Sequence, residues 1–187
     1  MILYLHGFRS SPASHKAQQL QARMAERGLD ALFACPQLPV SAQAAVALAE
    51  NLIAAAKTPV TLVGSSLGGY YATWLAERLG LRAVLVNPAV VAHLSLEEYV
   101  GTQTNLYSGE SFEFTRGHIA ELRAIEVARL RRPENFWLLL EEGDELLDYR
   151  LAVQRYAGAR QTVLPDGDHS FSRWDAYLDD ILRYAGL

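Results

Sequence analysis

A chain of 187 residues, half of them hydrophobic, can bury one sizeable core and is short for two domains, so a single domain is expected. Its formal net charge of −4 leaves no basic stripe, which argues against nucleic acid and anionic membrane surfaces as partners. The only cysteine, Cys35, excludes an intramolecular disulfide and sits in an apolar run that reads as a buried strand.

In chain order, Ile2-Leu3-Tyr4-Leu5 reads as a buried strand that opens into the loop His6-Gly7-Phe8-Arg9-Ser10-Ser11-Pro12. No basic segment precedes it and no apolar stretch reaches membrane-spanning length, so a cytoplasmic protein with no membrane partner is expected. A helix is predicted over about 14–28, with Ala17, Leu20 and Met24 as its inner stripe and Gly28 as its stop. Residues 31–35 read as a second strand broken by Pro36, and the alanine-rich run 41–56 as a helix. The strand from Val60 meets a glycine-flanked serine and becomes a helix ending at Gly80; Ala83-Val84-Leu85-Val86 is the next strand, stopped by Asn87-Pro88. Two further strands are predicted over 136–140 and 162–164, with helices near 146–156 and 172–184.

Six apolar strands alternating with helices indicate an α/β protein whose parallel sheet is covered on both faces. Residues from about 90 to 132 break the rhythm, because more than forty residues separate two strands where one crossover helix needs far fewer. They are expected to form a small helical cap, with helices at 96–100 and 119–131 and a turn at Tyr107-Ser108-Gly109-Glu110.

The segment Gly64-Ser65-Ser66-Leu67-Gly68 carries the chemistry. A strand-to-helix elbow that exposes a nucleophile needs small residues two before and two after its serine, which Gly64 and Gly68 supply for Ser66 and nothing supplies for Ser65. A serine hydroxyl needs a base. Of the five histidines only His93, His118 and His169 follow Ser66, and His169 alone lies in a loop between the last strand and the last helix. The orienting acid should follow the strand over 136–140. Asp144, just past Gly143 and ahead of the helix, is the choice; the competing reading makes Asp144 an N-cap and gives the acid to Asp148, which is expected within the first helical turn. Two backbone N–H groups are needed for an oxyanion. Leu67, after the nucleophile, supplies one, and Phe8 is expected to supply the other, with Gly7 allowing close approach and His6 bracing the loop or serving as a core histidine.

The strings Tyr4-Leu5-His6-Gly7-Phe8-Arg9-Ser10-Ser11-Pro12, Gly64-Ser65-Ser66-Leu67-Gly68-Gly69-Tyr70-Tyr71-Ala72, Asn87-Pro88-Ala89, Gly143-Asp144-Glu145-Leu146-Leu147-Asp148-Tyr149 and Asp168-His169-Ser170-Phe171 together resemble the YqiA-like esterases, small bacterial α/β-hydrolases. The resemblance runs from end to end. It implies a compact α/β-hydrolase that lacks the two leading strands of longer relatives and acts on acyl esters, with acyl-CoA thioesters as a further class. It carries the nucleophile onto Ser66, the acid onto Asp144 and the base onto His169. One departure is Pro165-Asp166-Gly167, where paired glycines are expected.

The reading is therefore a six-stranded parallel sheet in the order 2-1-3-4-5-6, a serine esterase with a Ser66-His169-Asp144 triad, and a small-molecule acyl ester or thioester as substrate. No metal or organic cofactor is expected. Cap aromatics Tyr99, Tyr107, Phe112 and Phe114 are candidates for the acyl pocket. A peptidase or amidase with the same triad, and a non-catalytic binding protein on a hydrolase scaffold, are the alternatives.

Overall fold

The computed structural model describes residues 1–187. The apolar runs form strands β1 (Ile2–Leu5), β2 (Phe33–Ala34), β3 (Thr61–Ser65) and β4 (Arg82–Val86); the cap holds β5 (Gly101–Thr104) and β6 (Ser111–Phe114), and β7 (Phe136–Glu141) and β8 (Arg160–Leu164) follow. The main sheet runs β2-β1-β3-β4-β7-β8 with every pair parallel. Counted among its own strands, that is the expected order.

Period-two alternation divides the core between the two faces. Ile2, Tyr4, Val63, Val84, Val86, Trp137 and Leu139 face one side, where they meet α1 (His15–Glu26) through Ala17, Leu20 and Met24 and α7 (Leu178–Ala185) through Leu178, Ile181 and Leu182. Leu3, Leu5, Leu62, Ala83, Leu85, Leu138 and Leu140 face the other side and pack on α2 (Ala42–Ala55), α3 (Leu67–Leu79) and Ala152 of α6 (Tyr149–Arg155). Covering both faces buries strands that carry no polar alternation, which is why they read as continuous apolar runs.

Several expected elements differ in extent. The second strand shrinks to two residues because Asp30–Leu32 form a 3-10 turn, and Cys35 falls outside it, half-buried, where loss of solvent pushes its thiol up to about 12. The final helix is split into a 3-10 turn, Trp174–Tyr177, and α7. Helix α6 starts late, at Tyr149, so Asp148 stands one residue before the helix as its N-cap and accepts from the Arg150 N–H at 3.0 Å.

The cap is a correction as well: it is not purely helical. It consists of α4 (Ala92–Ser95), a 3-10 turn (Glu97–Tyr99), the antiparallel hairpin β5–β6 and α5 (Arg116–Ala124). In Ser111-Phe112-Glu113-Phe114 the phenylalanines point inward and the polar residues outward, a period of two that suits a strand. The predicted turn at 107–110 joins the two strands. Helix α5 ends at Ala124 rather than near 131 because the chain beyond it is held by tertiary partners: the Glu77 carboxylate accepts from the N–H groups of Arg131 and Arg132, at 3.0 and 3.3 Å.

Candidate active site

The tight turn after β3 places Ser66 in the left-handed half of the backbone map, at φ 54° and ψ −120°. Such a conformation costs a non-glycine residue of order 1–3 kcal/mol, and the surroundings must over-determine it. They do so by close packing. A side chain on Gly68 would overlap the Leu5 carbonyl, one on Gly64 would overlap the backbone of Gly68 and Gly69, and one on Gly69 would lie 2.7 Å from the Pro88 Cβ. The Ser66 N–H donates to the Val86 carbonyl at 3.0 Å, and the Ser66 carbonyl accepts from Gly69 and Ala89 at 2.9 and 3.1 Å. Ser65 is instead buried at the end of β3.

The loop after β8 brings His169 to Ser66 across 103 residues, with Nε2 3.0 Å from the Ser66 Oγ. On its other side Nδ1 lies 2.9 and 2.8 Å from the two carboxylate oxygens of Asp144. A carboxylate facing Nδ1 holds the proton there, which leaves the Nε2 lone pair for the serine hydroxyl. Asp144 is itself fixed: its side chain is 2% exposed, and Oδ1 also accepts from the N–H groups of Leu146 and Leu147 at 2.9 and 2.8 Å. Between the competing carboxylates, then, Asp144 meets the histidine and Asp148 caps α6.

The loop after β1 also approaches Ser66. A side chain on Gly7 would stand 3.3 Å from the Ser66 Cβ, so glycine lets the backbone pass. His6 is 4% exposed; its Nε2 accepts from the Leu38 N–H at 3.0 Å, so Nδ1 carries the proton and donates to the Gly7 carbonyl at 3.0 Å. Burial lowers its pKa, which keeps the ring in this neutral form. The N–H of Leu67, first residue of α3, has no intrahelical acceptor. Leu67 and Phe8 line one cavity of about 410 Å³, together with Leu38, Pro39, Val40, Tyr71 and Phe112. A second cavity, of about 420 Å³, holds Ser66 and His169 and shares the Gly7-Phe8 rim with the first.

The cap aromatics divide. Phe112 lines the first cavity, whereas Phe114, 2% exposed, and Tyr99 pack edge-on against Phe8, at 4.9 and 5.8 Å between ring centroids. Tyr107 lines the second cavity. The hairpin is tied to the loop after β1, since Leu106 N–H donates to the Arg9 carbonyl at 2.8 Å and Asn105 Nδ2 to the Ser10 carbonyl at 2.8 Å.

Three supporting residues were not singled out from the sequence. Asn87 holds the His169 loop through two donated hydrogen bonds, and Glu145 accepts from the His169 N–H at 2.9 Å. Glu141, fully buried at the end of β7, accepts from the Asp168 N–H at 2.8 Å and from Arg173 Nε at 2.9 Å. Asn87 had a signal, an asparagine before proline at a strand end, where a positive φ is tolerated; it adopts φ 39°. In the loop that departs from paired glycines, Asp166 and Gly167 take φ 57° and 83°, so two consecutive left-handed residues are kept with only one glycine. No group of three or more His, Cys, Asp or Glu side chains converges as metal ligands do, and no helix is long and apolar enough to cross a membrane.

The model of a protein family described as "Uncharacterised protein family (UPF0227)", the YqiA-like family, matches residues 1–186. The chain belongs to UPF0227. Among solved structures, this UPF0227 chain is similar to a protein of Agrobacterium vitis S4 given the provisional description of hydrolase, with a TM-score of 0.77 and 21% identity over 97% of this chain and 86% of that one. It is similar to the mouse alpha/beta hydrolase domain-containing protein 10, with a TM-score of 0.72 and 16% identity over 97% and 89%. It also resembles Est1E of Butyrivibrio proteoclasticus, solved with ferulic acid bound, with a TM-score of 0.68 and 13% identity over 100% and 89%. At these identities the likeness is one of fold, and the fold is that of the α/β-hydrolases.

Proposed function

We propose that this UPF0227 member is a serine hydrolase that cleaves small-molecule acyl esters through an acyl-enzyme, with Ser66 as nucleophile, His169 as base and Asp144 as the acid that orients it. The single observation that carries the reading is the unbroken line from Asp144 through His169 to Ser66 Oγ, with contacts of 2.8 and 3.0 Å. Membership of a hydrolase fold supports the class of reaction, and the site supports the division of roles.

In this reading His169 takes the Ser66 proton as Oγ attacks the acyl carbon. The N–H groups of Leu67 and Phe8 receive the negative charge that develops on the carbonyl oxygen, aided by the dipole of α3. Protonated His169, held by Asp144, then gives its proton to the departing alcohol, and a water activated by the same nitrogen releases the acid. The cavity beside Leu67, with Phe8, Leu38, Val40 and Phe112 in its wall, suits the acyl chain. A thiol departs more readily than an alcohol, so the same machinery accepts thioesters.

Labelling with a fluorophosphonate tests the assignment. A covalent adduct is expected on Ser66 in the wild type and in Ser65→Ala, and none in Ser66→Ala, whose ester turnover should fall by roughly 10⁶. An adduct on Ser65, or undiminished turnover in Ser66→Ala, overturns it.

A further inference from the structure

The cavity that holds Ser66 and His169 has, beside Tyr4, Leu106, Tyr107 and Phe171, polar groups that the proposed chemistry leaves unused. Helix α1 begins in that wall: Ser14, His15 and Lys16 all line the cavity. The first N–H groups of a helix have no intrahelical acceptor, and twelve residues of aligned peptide dipole stand behind these. Ser14 is the N-cap residue, yet its hydroxyl caps nothing. Its Oγ is buried and has no hydrogen-bond partner, and the residue is only 8% exposed. Beside it the half-buried Lys16 ammonium donates to the Ser170 carbonyl at 2.6 Å, which leaves two of its three N–H groups for other acceptors.

The charged side chains that line this cavity are of one sign. None of its lining residues is acidic, although the chain as a whole carries a net charge of −4. The carboxylates near Lys16 are those of Asp168, Glu141 and Asp144, none of which lines the cavity. Glu141 is taken up by Arg173 and the Asp168 N–H and Asp144 by His169, which leaves Asp168, its Oδ1 buried and without a hydrogen-bond partner, as the carboxylate that bears most on Lys16 from behind the cavity wall. Loss of solvent lowers the Lys16 pKa to about 8, against the pull of those three carboxylates, so the ammonium is charged at neutral pH but poorly solvated.

We infer that this cavity is a leaving-group subsite that recognises an anion, so that the substrates are esters whose alcohol carries a carboxylate or phosphate seated on Lys16, the Ser14 hydroxyl and the N-terminus of α1. The inference rests on the hydrolase reading for its orientation. The group that departs must lie within reach of His169 Nε2, and His169 lines this cavity and not the one beside Leu67. The alcohol therefore occupies the cavity that holds Lys16 and the acyl chain the one beside Leu67 and Phe112.

Three butyrate esters of phenols test it: a neutral one made from methyl 4-hydroxybenzoate, one from 4-hydroxybenzoate and one from 4-hydroxybenzylphosphonate, each rate divided by its alkaline hydrolysis rate. At low salt, kcat/KM for at least one anionic ester should exceed that of the neutral one by about 10-fold or more, through KM, and the ratio should fall as salt is added. The carboxylate and phosphonate arms separate the two sources of anion. Lys16→Met should bring the ratio close to one, and Lys16→Arg should keep most of it. A wild-type ratio near one, a ratio that survives in Lys16→Met, or an equal loss on all three esters in Lys16→Met, as a mere brace of the His169 loop would give, overturns the subsite.

If no ester is hydrolysed the hydrolase reading fails, and the subsite is then read by calorimetric titration of Ser66→Ala with 4-hydroxybenzoate and 4-hydroxybenzylphosphonate. Binding of either anion that disappears in the Lys16→Met, Ser66→Ala double variant supports the subsite on its own. No binding of either anion to Ser66→Ala overturns it.

Discussion

Asn87 donates through Nδ2 to the carbonyls of both Asp168 and His169, at 3.0 and 3.2 Å, while its Oδ1 accepts from the Glu141 N–H at 3.0 Å. One side chain at the end of β4 thus joins the loop that carries His169 to the strand that leads to Asp144. Its own N–H is held by the Leu139 carbonyl at 3.0 Å, so the joint is anchored in the sheet. The partners of an imidazole set its tautomer; this joint sets where the imidazole stands.

Asn87→Ala should therefore cost stability and rate together. Removing three hydrogen bonds and leaving the buried Glu141 N–H without an acceptor should destabilise by about 2–4 kcal/mol. Displacing His169 by a fraction of an ångström should slow fluorophosphonate labelling by roughly 10–100-fold. Asn87→Asp keeps an acceptor for Glu141 but cannot donate, so its labelling should be no faster than that of Asn87→Ala. Urea denaturation and labelling rates decide; wild-type labelling in the Asp variant would show that donation to the loop is not what holds His169.

The two aspartates of the loop after β7 should separate cleanly. Asp144→Asn keeps the size of the side chain but loses the charge that holds the Nδ1 proton, and kcat should fall by roughly 10⁴, as expected of a Ser-His-Asp enzyme whose histidine takes the wrong tautomer. Asp148→Ala removes an N-cap, which costs about 1 kcal/mol and should leave kcat within about 2-fold. Asparagine caps as well as aspartate, so Asp148→Asn should be close to silent in both. A large rate loss confined to the Asp148 variants would reverse the assignment.

Phe112 and Phe114 should answer differently to truncation. Phe114 is 2% exposed and packs on Phe8 and His118, so Phe114→Ala should cost about 3–5 kcal/mol. Phe112 lines the cavity beside Leu67, so Phe112→Ala should enlarge it and move the preferred acyl chain to longer esters with a smaller loss of stability. Melting temperatures and a chain-length panel of p-nitrophenyl esters distinguish the two, and an unchanged profile in Phe112→Ala would place that ring in the cap core.

His6 should make stability fall in mild acid. Its folded pKa lies below the unfolded value of 6.5 because burial disfavours the imidazolium. Below pH 6.5 the unfolded chain therefore binds more protons at this position than the folded one. The contribution is fully present above pH 6.5 and is lost as pH falls from there through the folded pKa. Protonation also converts Nε2 from an acceptor into a donor facing the Leu38 N–H. Unfolding free energy measured from pH 7.5 to 5 should drop more steeply in the wild type than in His6→Gln; equal slopes would remove His6 from the account.

What the sequence determined by itself is what depends on neighbours along the chain. Apolar runs long enough for a strand, glycines two residues either side of Ser66, and a histidine in the last strand-to-helix loop each describe a local backbone state, and local states are legible without knowing the partners. The sheet order followed because parallel strands with helical crossovers admit few arrangements. The hairpin in the cap was legible too, in the alternation of Ser111 to Phe114, but short strands with polar outer faces give a weak pattern. The tertiary structure alone decided which of two aspartates four residues apart meets His169, because that depends on where α6 begins and on how the loops after β7 and β8 close on each other, with the Gly143 N–H donating to the Asp166 carbonyl at 2.8 Å. It alone brought Asn87 and Glu141 under that loop, and set Ser14 and Lys16 in the same cavity as Ser66. Those placements come from the packing of segments from 25 to 154 residues apart, and the free energy that holds them is shared among contacts no single stretch of chain contains.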